Sequence, residues 1–191
     1  MRTFAAALFA AGASAVPTAL FHGMGDACRH RGFKNLTKEI GEKTGDYSAC
    51  FESGASLASI FGNFETQSET ACALVQADPN FQVPEINVMG LSQGALIARY
   101  VATSCDLGDT KVRNVASIGG PNLGVDAIPG CFSGTFCDLL NTAARTLVEL
   151  PIVQNHCGPC GYFRDPQRYD QYLAGSVFLP WMNNEEGDAS T

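Results

Sequence analysis

Clusters of basic residues are missing from this chain: 12 Lys and Arg are scattered among 19 Asp and Glu, and the formal net charge is −7. A nucleic-acid surface needs cations gathered on one face, so nucleic acid is excluded as an expected partner. Beyond the N-terminal region no stretch reaches the roughly 18 consecutive apolar residues of a membrane-spanning helix. Internal repeats, low-complexity tracts and an interdomain linker are also missing, which leaves one domain rather than an array. Gly119-Gly-Pro-Asn-Leu-Gly124 has no Lys-Ser/Thr after it and is not a phosphate-binding P-loop. Histidine is scarce too: His22, His30 and His156 are the three candidates for any step that needs an imidazole.

What is present fits a secreted globular domain. With 46% hydrophobic and 16% charged residues, the 191-residue chain can bury a stable core. Met1-Arg-Thr precedes an apolar run over 4–11 and then Gly12-Ala-Ser-Ala15, the order of charged region, hydrophobic region and small-residue cleavage site of a signal peptide. Residues 1–15 are therefore expected to be a signal peptide and 16–191 the domain. Eight cysteines, an even number, in an exported chain point to disulfides rather than metal ligands, and no metal is expected. Asn35-Leu-Thr37 is a glycosylation sequon between Lys34 and Lys38, which places it on the surface.

Apolar runs at 16–21, 47–51, 86–89 and 112–118 read as buried strands, each closed by glycine or a polar turn. Helical patterns lie between them. Phe61, Phe64, Ala71, Leu74 and Val75 share one face of a helix over 61–77, and 95–105 is rich in Ala, Leu and Ile without a breaker. The alternation predicts an α/β fold with a mostly parallel sheet and helices on both faces. Farther on, Phe136, Leu140, Ala143, Leu147 and Leu150 repeat at helical spacing and predict one amphipathic helix, in a place where a cap could be inserted.

The chemistry centres on Gly90-Leu-Ser-Gln-Gly94, a G-x-S-x-G sequence. A serine on a sharp strand-to-helix turn needs small neighbours so that the strand and helix can pass closely. Here the sequence follows a strand and opens a helix, so Ser92 reads as a nucleophile rather than a structural serine. An acyl-transfer serine also needs two N–H donors for the developing oxyanion. Gln93, the next residue, supplies one. His22-Gly-Met-Gly-Asp26 follows the first strand, and Met24 between two glycines is placed to supply the other.

The pair His22-Gly-Met-Gly-Asp26 and Gly90-Leu-Ser-Gln-Gly94 resembles the palmitoyl-protein thioesterase family, α/β-hydrolases of the lysosome or secretory pathway that remove fatty acyl groups from cysteine thioesters. Further similarity runs through Ala116-Ser-Ile-Gly-Gly120, Ile128-Pro-Gly-Cys131, Phe136-Cys-Asp138, Arg164-Asp-Pro166 and Phe178-Leu179. The resemblance implies an α/β-hydrolase fold, Ser92 as the acyl acceptor, and Met24 and Gln93 as the oxyanion donors. It implies S-acylated proteins or fatty acyl thioesters as substrates, no cofactor, and a lysosomal or extracellular location. The family pattern also pairs Cys72 with Cys105 and Cys131 with Cys137, which leaves Cys28 with Cys50 and Cys157 with Cys160. Spacing alone leaves the connectivity open.

The family orders its triad as Ser, Asp, His, with both partners beyond the segment matched by Phe178-Leu179. No such pair follows here, so the expectation is a domain that lacks the C-terminal segment carrying acid and base. His22 belongs to the oxyanion loop, His30 lies among Arg29 and Arg31, and His156 stands in Asn155-His-Cys-Gly-Pro-Cys160; Asp138 or Glu149 would serve His156 as an acid only in a rearranged fold. Three alternatives stand beside the thioesterase: a cutinase- or lipase-like carboxylester hydrolase, an inactive hydrolase-like form, and disulfide exchange at Cys157-Gly-Pro-Cys160. The last lacks the strand that leads into a thioredoxin-type C-x-x-C.

Overall fold

The structure is a computed structural model that describes residues 16–127 and 135–185. Four parallel strands, β1 (Thr18–Phe21), β2 (Ser48–Cys50), β3 (Glu85–Leu91) and β4 (Lys111–Ile118), form a sheet in the order β2-β1-β3-β4. Between them run α1 (Arg31–Thr44), the short α2 (Ala58–Phe61), α3 (Phe64–Ala77) and α4 (Gln93–Ser104). After β4 come α5 (Thr135–Leu147), α6 (Pro151–Gln154), a 3-10 turn at Gly158–Tyr162, α7 (Tyr169–Gly175) and α8 (Phe178–Met182). This is the arrangement of an α/β-hydrolase sheet with helices around it.

Side chains alternate across the strands as the two-residue period requires. Ala19, Phe21, Ile86 and Val88 enter the larger core, where they meet Phe64, Ala71 and Val75 of α3 and Leu96, Ile97 and Val101 of α4. Leu20 and Met89 turn to the other face and meet Phe33 of α1. Burying each of the larger side chains contributes about 1.5–3 kcal/mol, so the two faces of β1 and β3 anchor the sheet. β4 differs: it is one of the two edge strands of the described sheet, and its Val115 and Ile118 are 48% and 49% exposed.

Two elements depart from the sequence reading. The helix expected over 61–77 is divided, because Asn63 leaves helical geometry and its side chain caps α3 by accepting from Thr66 N at 2.9 Å. Phe61 therefore ends α2 and is 65% exposed, while Phe64, Ala71 and Val75 keep the buried face. The helix expected over 136–150 stops at Leu147, since Leu150 caps α6 and Pro151 starts it. Leu147 and Leu150 are exposed, and Val148 is the buried residue at this corner. The side chains of Phe136 and Leu140 lie outside the described residues.

Disulfides join Cys28 in the loop after β1 to Cys50 at the end of β2, Cys72 of α3 to Cys105 just after α4, and Cys157 to Cys160 across the 3-10 turn. The pairing expected for Cys131 and Cys137 lies outside the described residues, as does the signal peptide expected over 1–15. Asn35 is exposed on α1, and Thr37 of its sequon donates to Phe33 O. Among the described residues no helix is long and apolar enough to cross a membrane.

Candidate active site

From β1 the sheet grows one way to β2 and the other way to β3. That reversal opens a crevice at the carboxyl ends of β1 and β3, the usual position of a site in an open parallel sheet. Two loops meet there: residues 22–30 after β1, and the turn from β3 into α4 that carries Ser92.

Ser92 is exposed and has φ 52° and ψ −123°, a conformation that is strained for a residue with a Cβ. Its N–H donates to Ile118 O at 2.8 Å, and its carbonyl accepts from Ala95 N at 2.9 Å, so the turn is held from both sides. The flanking glycines are sterically required. A Cβ on Gly90 would lie 2.0 Å from Gly94 O, and one on Gly94 would lie 2.3 Å from Phe21 O and 2.5 Å from His22 O. Strand, helix and β1 thus touch main chain to main chain beneath the serine.

The β1 loop reaches the same point. A Cβ on Gly23 would stand 3.2 Å from Ser92 Cβ and 3.8 Å from its Oγ. Asp26 N closes a turn onto Gly23 O at 3.2 Å, with Met24 and Gly25 at its centre and Gly25 at φ 76°. No described residue accepts from the backbone N–H of Met24 or of Gln93. The Gly23 main chain thus packs against the serine, with the Met24 N–H on the next residue of the same turn.

Buried side chains fix this turn. His22 is 3% exposed; its Nδ1 faces Gly23 O at 2.8 Å and its Nε2 faces Glu52 Oε1. The other carboxylate oxygen of Glu52 accepts from Cys28 N at 2.8 Å, and the Cys28–Cys50 bond ties the same loop to β2. Gly25 N donates to Ser59 Oγ at 2.7 Å. On the elbow side, the Gln93 carboxamide is 1% exposed and fully paired: its Nε2 donates to Ser59 O at 3.0 Å and Gln67 Oε1 at 3.1 Å, and its Oε1 accepts from Tyr162 Oη at 2.9 Å. Burial pushes the Tyr162 phenol well above its ordinary pKa, so it remains a donor.

None of the three histidines is hydrogen-bonded to Ser92. Both nitrogens of His22 are engaged with the loop and Glu52; His30 Nδ1 pairs with Asp26 Oδ1 at 2.6 Å on the surface; His156 Nδ1 contacts Ile152 O at 2.9 Å within its own turn. Burial tends to raise the pKa of Asp26, but the Ala27 N–H and His30 outweigh it and hold the carboxyl below its ordinary value. Asp138 is exposed on α5. Glu149 is pushed up to about 6 by burial, with Asp165 adding to the effect and Arg168 opposing it.

His22, Cys28 and Glu52 bring one potential metal-ligand atom each within 4.8 Å of one another. The Cys28 sulfur is committed to Cys50, and the other two groups bond to each other, so the set is a structural clamp rather than a metal centre. A surface groove of about 630 Å³ lies between Leu123, Val125, Arg164 and Tyr169. None of its lining residues belongs to the serine turn or to the loop after β1.

Sequence reasoning brought Ser92, Met24 and Gln93 forward; Gln93 follows the serine on its turn, and Met24 follows Gly23, whose main chain packs against the serine. Glu52, Ser59, Gln67 and Tyr162 were passed over. Each is an isolated polar residue bonded across many positions of sequence, with no motif around it to signal the role.

A sequence model of the palmitoyl protein thioesterase family matches residues 17–191. Palmitoyl-protein thioesterase 1 of Caenorhabditis elegans is 29% identical over 187 residues, covering 92% of this chain and 61% of that protein. Palmitoyl-protein thioesterase 3 of Dictyostelium discoideum is 33% identical over 129 residues, 66% of this chain and 42% of that one. A lysosomal thioesterase of Drosophila melanogaster is 38% identical over 105 residues, 53% of this chain and 34% of its own length. The chain thus spans less than two thirds of the length of these curated relatives.

Proposed function

The chain belongs to the palmitoyl protein thioesterase family, and from that membership we propose that the whole protein hydrolyses fatty acyl thioesters on protein cysteines through Ser92. The observation that carries this reading is the strained, exposed Ser92 with Gly23 of the β1 loop packed against it. In the proposed reaction Ser92 Oγ attacks the thioester carbonyl, and the N–H groups of Met24 and Gln93 receive the oxyanion. The cysteine thiolate then leaves, and water hydrolyses the acyl-serine ester to free fatty acid.

A proton acceptor is needed for Ser92, and none of the three histidines as placed provides it. Turnover is accordingly proposed for the whole protein, whereas the reactivity of Ser92 itself can be tested on this chain. The engaged histidines favour a second reading, in which the chain binds acyl groups without turning them over.

The lysosomal thioesterase among the relatives and the three disulfides among the described residues support a path through the oxidising secretory compartment, with residues 1–15 as the signal peptide and Asn35 as a glycan acceptor. Incubation with a fluorophosphonate probe, read by intact mass, tests the nucleophile. With no imidazole on Ser92, labelling is expected to be slow, and it should vanish in Ser92→Ala. An unlabelled chain would sink the nucleophile reading and leave the binding form.

A further inference from the structure

The two oxyanion donors come from loops far apart in sequence, and hydrolysis needs them held at fixed spacing from one hydroxyl. One residue touches both loops. Ser59 of α2 is 1% exposed; its Oγ accepts from Gly25 N at 2.7 Å and donates to Ser56 O at 2.6 Å, and its carbonyl accepts from Gln93 Nε2 at 3.0 Å. We propose that Ser59 is a positioning residue that keeps the Met24 and Gln93 N–H groups in register around Ser92. The proposal rests on the reading of Ser92 as the nucleophile.

The hydroxyl is suited to this task because it is used in both senses. Its proton is committed to Ser56 O, so its lone pair is aimed at Gly25 N–H, and Ser56 N in turn donates to Asp26 O at 2.7 Å. The turn that carries Met24 is thereby bonded at two successive residues, Gly25 to Ser59 of α2 and Asp26 to Ser56 just before that helix. From the other side, the Ser59 carbonyl and the Gln67 amide take both protons of the Gln93 carboxamide, which fixes the first residue of α4. Gln67 Nε2 closes the ring on Gly62 O at 3.1 Å, at the end of α2. A Cβ on Gly158 would lie 2.4 Å from Ser59 O, so the Cys157–Cys160 turn is pressed onto the same carbonyl. Every polar group in the node has a partner, and a satisfied buried network resists small displacements.

Ser59→Ala removes the acceptor for Gly25 N–H and keeps the carbonyl contact to Gln93. Ser68→Ala is the control: Ser68 is 0% exposed on α3, and its hydroxyl only returns to Phe64 O of its own helix. Two readouts are compared on the full chain: amide exchange at Gly25, and the second-order rate of fluorophosphonate labelling at Ser92. In Ser59→Ala, Gly25 exchange is expected to rise and labelling to fall, each about tenfold, the factor that one hydrogen bond is worth. Ser59→Thr, which retains the hydroxyl, should restore both, and Ser68→Ala should move neither.

Protection at Gly25 that survives in Ser59→Ala would overturn the proposal. So would faster exchange with an unchanged labelling rate, which would make Ser59 a structural residue only. If the unaltered chain is not labelled at all, the nucleophile reading falls, and exchange at Gly25 then decides alone whether Ser59 holds the loop.

Discussion

Gly94 lies against the main chain of Phe21, where a Cβ would stand 2.3 Å from the carbonyl oxygen. Neither side can yield, because Phe21 is locked into β1 with its ring 0% exposed and Gly94 lies in the first turn of α4. Gly94→Ala is therefore expected to cost roughly 3 kcal/mol, the upper range for overpacking a well-filled interior. A urea midpoint within experimental error of the parent would refute the main-chain contact.

The left-handed conformation of Ser92 makes a second prediction about stability. A side chain at φ 52° stores strain of order 1–3 kcal/mol, whereas glycine adopts that region freely. Ser92→Gly should therefore be more stable than Ser92→Ala by about 1 kcal/mol, after the entropy that glycine adds to the unfolded chain. Denaturation of the two variants side by side checks this, and equal midpoints would count against strain at the elbow.

Tyr162→Phe would leave Gln93 Oε1 buried without a donor, since its Nε2 is committed to Ser59 and Gln67. The expected loss is about 1–3 kcal/mol. Burial raises the folded-state pKa of the phenol, so this contribution is complete below the unfolded value of 10.0 and is lost only as pH rises through the folded value. The gap in unfolding free energy between parent and variant should accordingly stay constant from pH 6 to 9; a gap that closes across that range would show that the phenol ionises there.

Glu149 predicts the opposite situation near neutral pH. Burial raises its folded pKa from 4.5 to about 6, and its Oε2 has no hydrogen-bond partner among the described residues. The folded state holds this proton more tightly, so the stability it contributes is complete below about pH 4.5 and lost as pH rises through about 6. After allowance for partial solvent access the change should be about 1 kcal/mol. Glu149→Gln should remove that slope between pH 4.5 and 7, measured as urea midpoints, and a slope that persists would assign it elsewhere.

How much of this was legible in the sequence depends on the range of the force involved. Ser92, Gly90 and Gly94 were legible because the constraint is local: a tight turn between strand and helix admits few residue types. The sheet was legible from apolar runs and the turns between them. The break at Asn63 was written in the sequence as a cap, but a hydrophobic period that continued through Phe61 and Phe64 masked it. Ser59 and Glu52 were not legible, since Gly25 and Ser59 are 34 positions apart and His22 and Glu52 are 30 apart. Partners brought together by the fold alone leave no spacing to read.

The Cys28–Cys50 bond has a further consequence in folding kinetics. Thr18 of β1 pairs with Asn87 of β3, so the central seam of the sheet closes only after a long stretch of chain has been gathered. Parallel pairings of that kind are slow to form, because closure entropy is spent before any contact repays it. The bond joins cysteines 22 positions apart inside the stretch and takes that segment out of the search, easing closure by a few tenths of a kcal/mol on the loop-length scale. Oxidation of this one pair before the seam closes would therefore make the redox state of the surroundings a participant in assembly, with β1 and β2 delivered to β3 as a preformed edge.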